Sequence, residues 1–138
     1  MTAQEVFDFV VNHLRTQGKQ AVDRDGDCQY CTPDGLKCAV GCLIPDDKYD
    51  PCIEGCALLQ AHFRPSNNNY KIMFAPAINI NATGTSKLME IIAELEYTPY
   101  LKLLSALQRV HDSHLDQCEK YFQLIAKHFD LEYKEPVT

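Results

Sequence analysis

The segment that decides the fold class is residues 99–129, which read PYLKLLSALQRVHDSHLDQCEKYFQLIAKHF. Apolar residues recur in it every three to four positions, which is the period of an amphipathic helix. Thr98 and Pro99 predict the start of a helix over 99–111, since proline is favoured in the first helical turn. Ser113 and Asp116 have the spacing of a capping box, so we expect another helix over 114–129.

The helical period also occurs in three earlier segments. Residues 3–17 predict a helix that Thr2 and Glu5 cap, and two more are expected over 51–63 and 87–96. The pattern therefore predicts a mainly α fold of about five helices. We find no internal repeat and no linker, so we expect one compact domain over 1–131 and a flexible tail over 132–138.

The exception to the helical pattern lies near residues 70–81, where apolar and polar side chains alternate on either side of Pro76. Because proline is tolerated in strands at edges and bends, we expect a short β-hairpin or an irregular insertion there. The apolar periods of all these segments predict a core made of Phe7, Val10, Leu14, Leu43, Ile53, Leu59, Ile91, Leu95, Leu104, Leu107, Phe122, Ile125 and Phe129.

Composition and charge limit the classes of function. The chain has 138 residues, seven cysteines and a net charge of −6. This acidity argues against direct binding of nucleic acid through its phosphates. The sequence shows no secretory signal and no stretch near the roughly 20 apolar residues of a membrane helix. We therefore expect a cytoplasmic protein with reduced cysteines and no contact with a membrane.

Most of the negative charge lies in one cysteine-rich segment, residues 23–56. Within 23–54, eight acidic residues stand against three basic ones, a net −5. Such a surface suits a basic partner, although a solvated loop surface would have the same composition. The candidate partner-binding residues are Asp23, Asp25, Asp27, Asp34, Asp46, Asp47, Asp50 and Glu54.

Four of the cysteines have a spacing that zinc sites use. Cys28 and Cys31 form a C-x2-C pair, and Cys38 and Cys42 would share a face if residues 38–44 were helical. These four side chains are candidate ligands of a structural zinc ion. The alternative is that the cysteines are buried, inert thiols that pack as small apolar side chains.

The same region carries a resemblance to a known family. The stretch PDGLKCAVGCLIPDDKYDP over 33–51, followed by Glu54 and Gly55, resembles the core of a family of small proteins encoded by bacteriophages and bacteria. No activity is established for that family. The resemblance implies a phage or mobile-element origin and a host cytoplasm as the setting. It also implies that Cys38 is shared while Cys31 and Cys52 are not, which weakens the zinc hypothesis.

A catalytic alternative joins Cys38 as nucleophile with His111 as base and Asp112 as orienting group. No local nucleophile motif accompanies Cys38, so a cysteine-dependent hydrolase is the weaker hypothesis. The simpler interpretation of His111 is a half-buried histidine at a helix end, with Asp112 setting its tautomer.

The hypothesis that the sequence favours is a non-enzymatic accessory protein that binds a protein partner through its acidic face. Inhibition of a host nucleic-acid or defence system is one form of it, and the phage setting comes from the resemblance alone. A zinc-stabilised domain is the alternative. The sequence does not indicate an oligomeric state.

Overall fold

The structure, a computed structural model, describes residues 1–67 and 69–137. Within them it contains four α-helices and one antiparallel pair of strands. In chain order these are α1 (Ala3–Gln17), β1 (Leu59–Ser66), β2 (Asn69–Pro76), α2 (Ala82–Glu94), α3 (Leu101–Ser113) and α4 (Cys118–His128). Short 3-10 turns lie at Gly41–Leu43, Pro51–Ile53, Thr98–Tyr100 and Leu115–Gln117. The prediction of about five helices is therefore corrected to four.

The first helix has the boundaries that its sequence predicts. Thr2 Oγ1 accepts the Glu5 N–H at 3.1 Å, and Glu5 Oε1 accepts the Thr2 N–H at 2.9 Å, so the capping box is complete. Gly18 ends the helix in the left-handed conformation, with φ 67°.

The predicted helix over 51–63 is wrong. A single 3-10 turn, Pro51–Ile53, follows the cap that Asp50 provides, and Gly55 then reverses the chain with φ 81°. Residues from Leu59 onward belong to β1, where Ala61 is buried and Gln60 is exposed. Apolar positions four apart satisfy both a helix and an alternating strand, and the glycine decides between them.

The predicted β element exists, but it begins earlier than expected. β1 and β2 pair from Leu59 with Pro76 to Ser66 with Asn69. β1 packs on α3. Residues 77–81 of the predicted insertion lie outside the strands and lead into α2.

The late helices differ from their predicted limits at the caps. α2 begins five residues early because Asn81 Oδ1 accepts the Gly84 N–H at 2.9 Å. α3 extends to Ser113, which caps nothing, and a 3-10 turn precedes α4. The predicted capping box of Ser113 and Asp116 is therefore wrong.

The core lies where the helices meet the hairpin and the loops. Ten of the thirteen predicted core side chains are buried, Leu95 and Phe129 are half-buried against them, and Leu59 is half-buried. The segment after α4 returns along α1, where Gln4 exchanges hydrogen bonds with the backbone of Glu132 at 2.9 and 2.8 Å. Across the described part of the chain, none of the helices combines the length and apolarity that a membrane span requires.

Candidate functional site

The cysteine-rich segment opens with two turns of the same design, nine residues apart. Residues 22–28 and 31–37 are each closed by an antiparallel bridge between their end residues. Gly26 and Gly35 occupy equivalent positions with φ 84° and 91°. Those left-handed conformations favour glycine, which explains the Asp-Gly dipeptide at both places. The chain thus contains one turn twice, at residues 22–28 and 31–37, although the two segments share little sequence beyond Asp-Gly.

An oxygen from a side chain fixes each turn in the same way. In the first turn Asp23 Oδ1 accepts the Asp27 N–H at 2.9 Å, and in the second Thr32 Oγ1 accepts the Leu36 N–H at 2.9 Å. Asp34 in turn accepts the Thr32 hydroxyl at 2.5 Å. These are the local hydrogen bonds that make Asx and ST turns, so the loops are ordered without regular secondary structure.

The last turn of α3 holds the first loop through His111, which is 0 % exposed. His111 Nε2 accepts the Ala21 N–H at 2.9 Å, so the ring proton must lie on Nδ1. Nδ1 then donates to Asp112 Oδ1 at 2.7 Å. Asp112 therefore sets the tautomer, as the sequence predicts. The partner of the ring is the Ala21 backbone rather than a group across the turn to α4.

Two glutamines add to this attachment. Gln20 donates to the carbonyl oxygens of His111 and Asp112 at 3.1 and 2.8 Å, which satisfies acceptors at the end of α3. Gln108 donates to Asp112 at 2.8 Å and accepts the Val40 N–H at 3.1 Å. One face of α3 therefore binds the backbone just before the first turn, at Ala21, and shortly after the second turn, at Val40.

The second turn is held from α1 and from Glu54. Gln17 exchanges two hydrogen bonds with the backbone of Lys37, at 2.8 and 2.9 Å. The Glu54 carboxylate accepts the N–H groups of Tyr30 and Cys31 at 2.7 and 3.2 Å and the Tyr49 hydroxyl at 2.6 Å. Glu54, which the sequence suggests as a partner-binding residue, is thus engaged inside the protein.

The Cys28 thiol lies beside His111 and Asp112. The ligand atoms of these three residues are all within 4.8 Å of one another. Burial and the negative charge of Asp112 raise the pKa of Cys28 to about 12. A thiol with that pKa is protonated at neutral pH and is a poor nucleophile.

Metal binding by these three side chains would break the bond between His111 and Ala21. A ligating Nδ1 must lose its proton, which leaves Nε2 protonated and facing the Ala21 N–H, donor against donor. The arrangement is therefore a completed hydrogen-bonded network, and a metal ion fits it poorly.

The four cysteines predicted as zinc ligands are not brought together. Within residues 1–67 and 69–137, the metal-compatible group of three or more side chains contains Cys28 but none of Cys31, Cys38 and Cys42. Cys42 donates to the Ala39 carbonyl at 3.1 Å, and burial raises its pKa to about 12. The segment 38–44 forms a 3-10 turn at Gly41–Leu43 rather than a helix.

The predicted nucleophile Cys38 is buried, and its sulfur accepts the Gly41 N–H at 3.3 Å. Burial raises the pKa of this thiol well above its usual value. Cys38 lines a cavity of about 180 Å³ together with Cys28, Cys56 and Asp112, yet the thiol in the cluster with His111 is that of Cys28. His111 has no free nitrogen to serve as a base for either thiol.

The predicted acidic face separates into two groups of carboxylates. Asp23, Asp34, Asp50 and Glu54 accept hydrogen bonds within the loops, and Asp46 pairs with Lys37 at 3.0 Å. Asp25, Asp27 and Asp47 are exposed. The side chains of these three form no ion pair or hydrogen bond with the described residues, so they remain available to a partner.

His114 and Cys118 are separated from His111 by the end of α3. His114 stacks on Tyr121 with a ring-centroid distance of 4.1 Å and meets the edge of Phe63. Burial and the nearby Arg109 lower the pKa of His114. Cys118 lies beside Glu119. His114 therefore belongs to the packing between α4 and the hairpin, whereas Cys118 lies on the side of α4 near Arg15 of α1.

The residues that order this segment were not predicted from the sequence. Gln17, Gln20, Gln108 and Glu54 act through backbone groups distant in the chain, and no spacing rule detects such contacts. The equal spacing of Asp25-Gly26 and Asp34-Gly35 was the available signal for the repeated turn.

Comparison with protein-family models, with curated proteins and with solved structures found no match to this chain. The resemblance to phage and bacterial proteins therefore stays a prediction, and the functional argument rests on the geometry of the site.

Proposed function

We propose that the protein is a non-enzymatic binding protein that engages a basic surface of a protein partner through its acidic loops. The observation that carries the proposal is the state of Asp25, Asp27 and Asp47, three exposed carboxylates without a cation among the described residues. Asp25 and Asp27 stand on the turn that His111 of α3 holds at Ala21, and Asp47 stands on the turn before Tyr49, whose hydroxyl donates to Glu54. Charges fixed in this way steer and align a complementary partner.

The chemistry of the thiols supports binding over catalysis. Burial raises the pKa of Cys28 and Cys42 to about 12 and raises that of Cys38 further. A cysteine enzyme needs the opposite shift, with a base that can accept the thiol proton. Both ring nitrogens of His111 already have hydrogen-bond partners.

The kind of partner that we propose is inferred from the sequence resemblance alone. A phage or mobile-element protein would meet a host protein in the host cytoplasm, and a basic surface is typical of proteins that handle nucleic acid. The proposed form of action is inhibition of a host nucleic-acid or defence system by occupying that basic surface.

Two variants with equal changes in charge test the proposal. Asp25→Asn/Asp27→Asn/Asp47→Asn removes the exposed loop carboxylates, and Glu96→Gln/Asp116→Asn/Glu135→Gln removes three exposed carboxylates elsewhere, so both have a net charge of −3 instead of −6. We expect a partner captured from host lysate to bind the loop variant at least about 10-fold more weakly and the control variant nearly as well as the wild type.

Salt provides an independent measurement with the same captured partner. Raising NaCl from about 50 to about 500 mM shortens the Debye length and should weaken binding several-fold. Binding that changes neither with salt nor in the loop variant would contradict the proposal.

Zinc stabilisation through Cys28, Cys31, Cys38 and Cys42 is the alternative that the sequence suggests, and the hydrogen bonds that already occupy both ring nitrogens of His111 argue against zinc beside Cys28. Metal analysis of protein purified without chelators decides between the two. About one equivalent of zinc would support a structural site, and less than about 0.2 equivalents would reject it, because structural sites bind zinc tightly.

A further inference from the structure

The outer face of the hairpin carries two cations directly opposite each other. In the register of β1 and β2, Arg64 lies across from Lys71, and both side chains are exposed. Opposite residues of paired strands project from the same face, so the two like charges are neighbours, which costs stability. Among the described residues neither side chain has an ion-pair partner. Lysine on an edge strand limits aggregation, but that use does not require a second cation directly opposite.

Two further cations lie beside the aromatic side chains of β2. Lys120 of α4 donates to the Tyr70 hydroxyl at 3.1 Å, and Lys102 of α3 lies over the Phe74 ring, 5.6 Å from its centroid. Both lysines are exposed and, within residues 1–67 and 69–137, form no ion pair. Unneutralised positive charge therefore surrounds β2 on both of its faces.

No acidic side chain of the hairpin offsets these charges. Residues 55–89 contain no aspartate and no glutamate, although the net charge of the chain is −6. Glu119, which precedes Lys120 in the sequence, is paired with Arg15 of α1 instead. The positive region is thus separate from the acidic loops.

The neighbours of the hairpin in space are also more cationic than anionic. His114 meets the edge of the Phe63 ring. Burial and the positive charges of Arg109 and Lys120 lower the pKa of His114, against the opposing effect of one carboxylate, Asp116. An anionic partner is therefore attracted to this side of the molecule.

The outer edge of β2 pairs with no strand in the part of the chain that the structure describes. In an antiparallel ladder, alternate residues bond to the partner strand. The bond from the Ala77 N–H to the Leu58 carbonyl sets this alternation, so the backbone N–H and C=O groups of Ile72 and Phe74 point away from β1. An extended peptide can join such an edge through main-chain hydrogen bonds.

The aromatic rings of this region favour a peptide over a nucleic acid. Phe63 packs on His114 and Tyr121, and Tyr70 contacts Tyr121 and the ammonium group of Lys120. The rings are thus engaged with one another, whereas a nucleic-acid base stacks on a free aromatic face. The net charge of −6 also opposes a long polyanion more than a short acidic peptide that stays on the hairpin.

We propose that the hairpin is a docking site for an extended acidic segment of a partner protein, which joins the outer edge of β2 as a third strand. Side chains of a strand alternate between its faces, so carboxylates at every second position lie on the face of Arg64 and Lys71. Their negative charge relieves the repulsion between the two cations. The inference is independent of the function proposed for the acidic loops, because it concerns a separate surface of opposite charge.

Two synthetic peptides of about nine residues, the length of a strand, test the proposal. One alternates glutamate with threonine, and the other alternates glutamate with proline, which keeps the charge but removes N–H groups that a strand needs. Both carry fluorescein, and anisotropy measures their binding to the full chain in a reducing buffer. We expect the Glu-Thr peptide to bind at least about 10-fold more tightly than the Glu-Pro peptide at about 50 mM NaCl, and several-fold more weakly at about 500 mM NaCl.

A matched pair of variants assigns the cations. Arg64→Gln/Lys71→Gln changes the hairpin, and Lys19→Gln/Arg24→Gln changes two exposed cations near the acidic loops, so each variant loses two positive charges. We expect the Glu-Thr peptide to bind the hairpin variant at least about 10-fold more weakly and the control variant within about 2-fold of the wild type. The hairpin variant should unfold at a temperature no lower than the wild type, because it relieves a like-charge contact.

Hydrogen exchange locates the added strand. The amides of Ile72 and Phe74 should exchange more slowly when the Glu-Thr peptide is bound, because they become donors to the new strand. The amide of Phe9, on α1, is the control and should exchange at an unchanged rate.

Five results would overturn the proposal. The first is no binding of the Glu-Thr peptide at about 1 mM protein, the limit of weak affinity. The second is equal binding of the two peptides, or no added protection of Ile72 and Phe74. The third is equal weakening in the two variants, which would indicate an effect of net charge. The fourth is tighter binding of an oligothymidylate of about nine nucleotides, which would indicate a nucleic-acid surface. The fifth is self-association at low salt that the hairpin variant abolishes, which would assign the hairpin to the acidic loops of a second copy.

Discussion

The helices and the loops of residues 20–56 are ordered by different interactions. Phe7, Leu107 and Phe122 are fully buried side chains of α1, α3 and α4, and apolar contacts hold those helices together. The loops contribute Tyr30, Leu43, Ile44 and Ile53 to the core, but the two turns over 22–28 and 31–37 are positioned by hydrogen bonds from His111, Gln17 and other helix residues. The comparison teaches that loops without regular structure can be fixed by polar side chains of a scaffold, with no metal ion or disulfide required by the geometry.

The largest expected effect is in the helices. Phe122→Ala should lower the free energy of unfolding by about 3–5 kcal/mol, because it removes a fully buried aromatic side chain and leaves a cavity. Urea denaturation measures the change. Phe9→Ala, at a half-exposed position of α1, is the control and should cost less than about 1 kcal/mol. Equal losses in the two variants would show that α4 does not pack as described.

The next effect tests the attachment of the loops. His111→Ala leaves the Ala21 N–H and Asp112 without their partner, so we expect a loss of about 2–4 kcal/mol in the free energy of unfolding. Hydrogen exchange should show that residues 21–28 lose protection before α1 does. His62→Ala, in the hairpin, is the control. If residues 21–28 and α1 lost hydrogen-exchange protection equally in His111→Ala, the proposed difference between loops and helices would be wrong.

A smaller effect concerns an ion pair that links two helices. Arg15 donates to Glu119 at 2.6 and 2.9 Å, and these hydrogen bonds lower the pKa of Glu119. A lowered carboxyl pKa contributes stability that is present above the usual value of 4.5 and lost as pH falls through the folded value.

Arg15→Gln should therefore destabilise the protein by about 0.5–1 kcal/mol at pH 7, since the pair is partly exposed. The difference from the wild type should shrink toward zero as the pH is lowered below 4.5 and through the lowered pKa of Glu119, because the carboxylate is then protonated. Lys48→Gln, in an exposed pair with Glu94 at 3.6 Å, serves as the control. A difference that grows on acidification would contradict this assignment.

The smallest effect is expected for the thiols themselves. Cys28→Ser keeps a small polar group beside Asp112, so the free energy of unfolding should change by less than about 1 kcal/mol. In the wild type, Cys28 should react with iodoacetamide at pH 8 far more slowly than the same thiol in the unfolded chain, because its pKa is about 12. Rapid modification of Cys28 would place it among reactive cysteines and reopen the catalytic hypothesis.

Sequence patterns predicted the parts of this molecule that depend on neighbours in the chain. The cap of α1, the inward faces of α3 and α4 and the burial of Phe122 follow from spacing alone. The helix predicted over 51–63 was wrong because the apolar spacing there suits either a helix or a strand. The positive φ of Gly55 and the pairing of β1 with β2 favour the strand. His111 with Asp112 was anticipated as a local pair. The contact of His111 with Ala21 joins residues 90 apart and has no local signature.

The repeated turns at 22–28 and 31–37 also bear on how the unfolded chain can be restrained. In each turn the glycine N–H donates to the carbonyl three residues earlier, from Gly26 to Asp23 and from Gly35 to Thr32. The residue directly after the accepting carbonyl is Arg24 in the first turn and Pro33 in the second. The second turn therefore shows that the shared backbone accepts proline at that place. Arg24→Pro should raise the free energy of unfolding by about 0.4–1 kcal/mol, because it removes conformations from the unfolded ensemble without altering the folded loop. The proline of the second turn thus indicates a substitution that should stabilise the first turn.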